Sequence, residues 1–238
     1  MHSMEKLKKK FWSLLNIAVW AAALVMAVNL VQQRVADVCL IPSYSMESTI
    51  LAGDRIVVLK KGMVHISRND LIIFNHPDGN GTQLVKRCIG LPGDTVALRE
   101  GMVFINDTLL VSPSSIRESQ ADYPLGFPHP SLAWTMNNYG PAVTPAKGLH
   151  VALDSVNSSL YRNVIRLESG GSWQYDGDYV FKTDSFFVLG DNRINSIDSR
   201  HWGFVPEGLV IGTAFMVYYS RDSEAKRIRW ERIGKILK

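Results

Sequence analysis

The longest apolar run in the chain lies near its N-terminus. Residues 11–33 contain no charged side chain, and within 11–31 the clearly polar residues are Ser13, Asn16 and Asn29. A helix of about 20 apolar residues spans a bilayer. We therefore predict a transmembrane helix at 11–33, preceded by a basic N-terminus.

A cleavable signal peptide is the alternative interpretation of this run. Signal peptides have a shorter apolar core and small residues at the cleavage site. This run is long and ends at 31–35 without an Ala-x-Ala pattern, and 36–39 makes a poor lipoprotein cleavage site. Residues 1–10 hold four lysines against Glu5. Because positive flanks stay in the cytoplasm, we predict an uncleaved anchor with its N-terminus inside.

Beyond residue 34, short apolar runs alternate with Gly, Asp and Asn turns. This pattern indicates an all-β core, and a stretch of about 200 residues is long enough to bury one. We predict a mainly β domain over 34–223. The expected strands are 38–41, 56–59, 71–74, 83–89, 94–98, 102–105, 179–181, 186–189 and 210–219, with a further turn at 106–107.

Two segments of the chain do not follow the strand pattern. Residues 112–183 are predicted to form an irregular insertion, with a short helix at 154–164 as the ambiguous part. Residues 224–238 carry Trp230, Ile233 and Leu237 at helical spacing among basic residues. That tail predicts a basic amphipathic helix, which either lies on a membrane surface or packs its apolar stripe on the domain.

The net charge of +4 is concentrated at the two ends of the chain. Residues 11–223 hold 16 basic against 19 acidic side chains. A nucleic-acid-binding domain needs a basic face, so we expect no nucleic-acid partner. Basic ends instead indicate contact with a lipid bilayer.

Two segments carry residues suited to acyl-transfer chemistry. Ser45 follows the apolar run 38–41, and Lys86 lies in the predicted strand 83–89, before a Gly-Leu-Pro-Gly-Asp turn. A serine hydroxyl is a poor nucleophile until a base takes its proton. A lysine can be that base only when it is neutral, so burial must lower its pKa from the usual value of about 10.4. The apolar neighbours of Lys86 in the sequence favour such burial.

These segments resemble the type I signal peptidases, membrane-bound Ser-Lys proteases that remove signal peptides from exported proteins. The resemblance covers most of 38–98 and 184–217. It implies a signal-peptidase-type β-rich catalytic domain on the outer face of the bacterial inner membrane, acting on exported preproteins without a cofactor. Four motifs in family order carry it: 42–46, 68–74, 84–94 and 190–204.

The resemblance implies a role for each matching residue near the nucleophile. Ser45 would be the nucleophile and Lys86 the general base. The backbone N–H of Ser45 and the hydroxyl of Ser43 would bind the oxyanion. Ser196 would hydrogen-bond the lysine and orient it.

Further matches supply support and substrate pockets. Asp198 and Arg200 would form a salt-bridged pair near the site, while Asp191 and Arg193 match flanking structural positions. Shallow apolar pockets would accept small residues, usually alanine, one and three positions before the cut. The pocket matches are Ile41, Pro42, Met46, Ile50, Leu84 and Val85.

Two residues beside the nucleophile depart from the family pattern. Tyr44 stands where the family usually has glycine, and Ser48 where it has proline. The ring of Tyr44 is expected to narrow the cleft, and Ser48 removes a backbone restraint. Neither position supplies a reactive group, so we expect activity to be retained.

Other chemistries find less support in the sequence. The six histidines have no metal-ligand spacing, so no metal site is predicted. Cys39 and Cys88 either pair in an oxidising compartment or are buried thiols. A Ser-His-Asp hydrolase using His201 would need a Gly-x-Ser-x-Gly elbow, which the sequence lacks. The alternative functions are a specialised Ser-Lys peptidase of a secretion or conjugation system and a catalytically silent, membrane-tethered binding domain.

Overall fold

A single long helix forms the N-terminal unit of the protein. The computed structural model describes residues 2–79, 81–113, 116, 121–171, 177–222 and 225–237, and it divides into the units Met1–Asp37 and Val38–Lys238. Helix α1 (His2–Arg34) includes the predicted span. Its segment Trp12–Asn29 has a mean hydropathy of 1.7, and none of that segment is buried. The helix is thus long and apolar enough to cross a membrane.

The rest of the chain is built mainly from β-strands, as the alternation of apolar runs and turns predicts. Two short helices, α2 (Asn157–Glu168) and α3 (Ser199–Trp202), accompany them. The strands are β1 (Ala36–Leu40), β2 (Asp54–Lys60), β3 (Leu71–Asn75), β4 (Gln83–Gly90), β5 (Thr95–Arg99), β6 (Met102–Ile105), β7 (Thr108–Leu109), β8 (Tyr139–Val143), β9 (His150–Leu153), β10 (Gly177–Val180), β11 (Ser185–Leu189), β12 (Val205–Pro206) and β13 (Val210–Ser220).

Within the described residues the strands form three sheets. The largest has seven strands in the order β1-β2-β13-β3-β4-β11-β12. A four-stranded sheet has the order β7-β6-β5-β8, and β9 pairs with β10. Strand β4 therefore lies between β3 and β11, antiparallel to both. This placement surrounds the middle of β4 with backbone and removes it from solvent.

The loop after β1 is held in place by its own apolar side chains. Met46 and Ile50 are fully buried and pack in one cluster with Ile41, Ile56 and Val58. Burying side chains of this size contributes roughly 1.5–3 kcal/mol each. The burial anchors the loop on both sides of residue 45.

The prediction of an irregular insertion at 112–183 is wrong for much of that segment. Strand β8 joins the four-stranded sheet beside β5, and β9 and β10 form an antiparallel pair. Helix α2 buries four apolar side chains in the main core: Leu160, Tyr161, Val164 and Ile165. The sequence of β8 contains Gly140 and Pro141, which obscured the strand pattern. Positions 114, 115, 117–120 and 172–176 of the insertion lie outside the described residues.

The prediction of an amphipathic helix in the tail is also wrong. Residues 225–237 contain a single 3₁₀ turn at Trp230–Arg232. Arg232 is buried and forms an ion pair with Asp54 at 2.5 Å, while Leu237 is buried in the cluster beneath β2 and β13. A buried charge requires its partner. The contacts of Arg232 and Leu237 with the domain therefore decide the conformation of the tail, rather than the helical spacing of its apolar residues. Positions 223, 224 and 238 lie outside the described residues.

Candidate active site

The predicted nucleophile and base meet in the second unit. Ser45 lies in the loop after β1, where its carbonyl accepts a hydrogen bond from the backbone N–H of Asn192 at 3.0 Å. Lys86 lies in β4, opposite Ile72 of β3, and is 2% exposed. Its amine Nζ is 2.5 Å from Ser45 Oγ. Two residues 41 positions apart are thus within direct proton-transfer reach of each other.

Because it is buried, the Lys86 ammonium loses its proton more easily than that of an ordinary lysine. Loss of water around the amine lowers the pKa of Lys86 from 10.5 to about 8. The negative charges of Asp198 and Asp191 oppose this shift, and the positive charge of Arg200 reinforces it. Near neutral pH, a lysine with this pKa is neutral in a far larger share of the molecules than an ordinary lysine is.

The side chain of Ser43 lies next to that of Ser45. Its hydroxyl oxygen is 3.4 Å from Ser45 Oγ, so both side chains project to one side of the loop. If a carbonyl carbon were bonded to Ser45 Oγ, a hydroxyl in this position could donate a hydrogen bond to the oxygen of that carbonyl group. The oxyanion role of Ser43 stays a prediction at this point.

A buried ion pair stands behind the lysine, as predicted for Asp198 and Arg200. Arg200 donates from Nε and Nη2 to the two Asp198 oxygens, both at 2.8 Å, and it donates further to the carbonyls of Met136 and Arg193. Burial by itself raises the pKa of Asp198, but Arg200 and the Gly190 N–H outweigh it and hold that pKa well below its usual value. Asp198 is thus a permanent negative charge near Lys86.

A second buried ion pair joins the strand of Lys86 to the 190–196 loop, and its pairing was not anticipated. Arg87 donates from Nε and Nη2 to the Asp191 carboxylate at 2.8 and 2.6 Å, and Thr49 donates to the same carboxylate at 2.5 Å. Arg193 instead donates to the Gly190 carbonyl at 3.1 Å. The sequence did carry a signal for this pair, because a charged residue such as Arg87 inside the apolar run of β4 requires a buried partner.

Ser196 does not make the hydrogen bond that the resemblance implies. Its hydroxyl is buried and has no hydrogen-bond partner among the described residues, so the expected bond to Lys86 is absent here. The hydroxyl instead faces Gly190. A Cβ at Gly190 would overlap the Ser196 side chain and lie 2.7 Å from the Ser45 carbonyl oxygen. Only glycine therefore allows this close approach of the 190–196 loop to the nucleophile loop.

Two cavities meet at Ser45. The smaller, which we call the apolar pocket, has a volume of about 170 Å³. The larger, the wide cleft, has a volume of about 590 Å³. The apolar pocket is lined by Cys39, Leu40, Ile41, Pro42, Ser43, Ser45, Ile73, Thr82, Gln83, Leu84 and Val85. The wide cleft is lined by Ser43, Tyr44, Ser45, Glu47, Leu84, Lys86, Asn195 and Ile197.

These linings correct part of the predicted substrate pocket. Four of the six predicted residues line the apolar pocket: Ile41, Pro42, Leu84 and Val85. Met46 and Ile50 do not, because both have no exposed surface and belong to the core. Tyr44 is 55% exposed and forms part of the wide cleft, where Asn195 and Ile197 were not anticipated.

His201 has a structural role in this arrangement. His201 Nδ1 accepts from the Asp198 backbone N–H at 3.3 Å and completes a capping box at the start of α3. It does not line the wide cleft. Cys39 and Cys88 are free thiols, and burial raises the pKa of Cys88 to about 12. The described residues contain no group of His, Cys, Asp and Glu that could hold a metal ion.

Comparison with known proteins agrees with this site. The family model described as "Signal peptidase, peptidase S26" matches residues 14–219. Signal peptidase I of Aquifex aeolicus is 30% identical over 208 residues, covering 83% of this chain and 81% of its own length. Signal peptidase I of Buchnera aphidicola from Acyrthosiphon pisum is 27% identical over 267 residues, covering 98% and 85%.

A solved signal peptidase I from Enterococcus faecalis V583 shares 27% identity, covers 63% of this chain and 97% of its own, and has a TM-score of 0.36. The family model extends over most of the chain and includes every residue of the Ser45 and Lys86 segments. The chain therefore belongs to the signal peptidase family, peptidase S26, whose members are serine endopeptidases.

Proposed function

We propose that this chain removes signal peptides from exported preproteins with Ser45 as nucleophile and Lys86 as general base. The observation that carries the proposal is the 2.5 Å contact between Lys86 Nζ and Ser45 Oγ, made by a lysine that is 2% exposed. An exposed lysine would be protonated and could not accept the serine proton. Burial supports the neutral form that the reaction needs.

The reaction then follows the acyl-transfer sequence. Ser45 Oγ bonds to the carbonyl carbon of the residue before the cut while Lys86 takes its proton. The carbonyl oxygen becomes an oxyanion, for which the Ser45 backbone N–H and the Ser43 hydroxyl are the proposed donors. When the C–N bond breaks, the Lys86 ammonium returns the proton to the leaving amine. The neutral lysine then deprotonates a water molecule, whose oxygen bonds to the acyl carbon. The ester bond to Ser45 breaks, the Lys86 ammonium returns the proton to Ser45 Oγ, and the signal peptide is released.

Uncharged residues before the cut suit the lining of the apolar pocket. The pocket has a volume of about 170 Å³, and Ile41 and Val85, which are themselves largely buried, provide apolar walls. The resemblance to the type I signal peptidases narrows the choice to small residues. We therefore propose cleavage after sequences of the Ala-x-Ala type.

Attachment to the inner membrane is the proposed role of α1. Lysines precede its uncharged segment, so the N-terminus is proposed to be cytoplasmic and the second unit periplasmic. Protease added to spheroplasts should digest the second unit. Full protection of that unit while the inner membrane is sealed would contradict this orientation.

The proposed function is tested directly on a preprotein. Detergent-solubilised protein is incubated with a preprotein and the new N-terminus is mapped by mass spectrometry. We expect one cut directly after an Ala-x-Ala segment, because the type I signal peptidases that the chain resembles cut after small residues. Absence of any cut would favour a silent binding domain, and a cut elsewhere would favour a specialised peptidase.

The pH dependence of cleavage should report the lysine. Because the base must be neutral and its pKa lies near 8, kcat/KM should rise about tenfold per pH unit below pH 8 and level off above it. A profile measured on a short Ala-x-Ala peptide checks this. Burial lowers the pKa of His201 from 6.5. If kcat/KM instead rose with a midpoint at or below pH 6.5, and His201→Ala abolished that rise, the lysine mechanism would be contradicted.

A further inference from the structure

The wide cleft and the apolar pocket adjoin each other at Ser45. Ser43, Ser45 and Leu84 line both of them. A polypeptide bound across Ser45 must place the residues before the cut on one side and those after it on the other. Two cavities that adjoin at Ser45 offer one place for each half of the substrate.

The position of Lys86 decides which half occupies which cavity. The leaving amine must receive its proton from the lysine amine, so the chain after the cut must pass beside Lys86. Lys86 lines the wide cleft and does not line the apolar pocket. The residues directly after the cut therefore cross the wide cleft.

A carboxylate stands in the wall of this cleft, two positions after the nucleophile. Among the described residues that line the cleft, Glu47 is the one acidic side chain. Asn192, which is 2% exposed, donates from Nδ2 to the Tyr44 carbonyl at 3.2 Å and to Glu47 Oε2 at 3.4 Å. The Glu47 N–H also donates to the Tyr44 carbonyl at 3.0 Å. The carboxylate is therefore held in the wall by a buried amide.

We infer that Glu47 selects the charge of the substrate residues directly after the cut, favouring basic over acidic side chains. The inference rests on the proposed function, because it takes its geometry from the same reaction. The carboxylate attracts a cationic side chain and repels an anionic one. Because the cleft is open to water, each of these effects is modest. Together they should give a preference of about threefold to tenfold in kcat/KM for Lys over Glu.

The test uses the full chain in detergent and three peptides that share one Ala-x-Ala segment. The peptides carry Lys, Gln or Glu at the first two positions after the cut. Wild type is compared with Glu47→Gln, which keeps an oxygen acceptor for Asn192 but removes the charge. Asp178→Asn is the matched control, since Asp178 is exposed on β10 and does not line the cleft.

We expect the Lys-to-Glu ratio of kcat/KM to fall toward one in Glu47→Gln and to keep its wild-type value in Asp178→Asn. Higher ionic strength should reduce the wild-type ratio, because salt screens the interaction. Comparing variants on the same peptides removes the contribution of the Lys86 charge, which is common to both proteins. An equal ratio in wild type and Glu47→Gln would overturn the inference while leaving the proposed function intact. No cleavage of any peptide by wild type would overturn both.

Discussion

Ser45→Ala and Lys86→Met should each remove nearly all cleavage, lowering kcat/KM by about 10³-fold or more. Ser45→Ala removes the atom that attacks the carbonyl carbon. Lys86→Met removes the base yet keeps an apolar side chain of similar length in a position that is 2% exposed. The measurement is the rate of cleavage of an Ala-x-Ala peptide, together with a melting curve that shows the variants are folded.

The double variant provides the sharper test of the dyad. Because nucleophile and base act on one step as a unit, their losses should not add. Lys147→Ala is the control, since Lys147 is an exposed residue outside the wide cleft, and its cleavage rate should stay close to wild type. Cleavage by Lys86→Met within a few-fold of wild type would rule out the Ser-Lys mechanism.

Asp191→Asn should destabilise the fold by about 3 kcal/mol or more, because it leaves Arg87 buried without its counter-charge. The side chains of both residues are 1% exposed, so water cannot replace the lost partner. For a chain of this size such a loss lowers Tm by roughly 6–12 °C. Thermal unfolding of the detergent-solubilised protein measures it.

The chain offers a matched control for this substitution. Arg99 and Asp107 form an ion pair at 2.6 Å with side chains 53% and 84% exposed. The same chemical change, Asp107→Asn, should cost no more than about 1 kcal/mol, because exposed pairs contribute little. Equal losses of stability in Asp107→Asn and Asp191→Asn would show that the buried pair contributes no more to the free energy of unfolding than the exposed pair does.

The Asp191 pair also explains how two distant segments keep their relative positions. Arg87 follows Lys86 directly, and Asp191 lies beside Asn192, whose N–H holds the Ser45 carbonyl. Thr49 of the nucleophile loop donates to the same carboxylate. The lysine strand, the serine loop and the 190–200 loop are thus joined at one buried charge. This arrangement keeps Lys86 Nζ and Ser45 Oγ within hydrogen-bonding distance.

Residue pattern alone predicted many of the local elements of this protein, among them the N-terminal helix and most strands of the largest sheet. The uncharged run at 11–33 lies within α1, and the predicted strands 56–59, 71–74, 83–89 and 102–105 each correspond to an observed strand. Such elements depend on the periodicity of side chains within a few neighbouring residues, which a single sequence displays. The motifs around Ser45 and Lys86 likewise indicated the family before any contact was known.

Contacts between distant parts of the chain were decided only by the tertiary structure. The helical spacing of the tail gave no sign that Arg232 would pair with Asp54, 178 positions away. Met46 and Ile50 look like pocket residues in the motif, yet packing places them in the core. The family resemblance likewise implied Ser196 as the partner of Lys86, whereas the 190–196 loop turns the Ser196 hydroxyl toward Gly190.

The chemical types at the site were therefore determined by the sequence itself: a serine, a lysine, and charged residues that must find partners if they are buried. Which partner each one finds, and which cavity it faces, was decided by the packing of β4 between β3 and β11. The physical reason is that burial and pairing depend on atoms brought together from far along the chain. The lowered pKa of Lys86 depends on both, so the sequence could predict the need for it but not its extent.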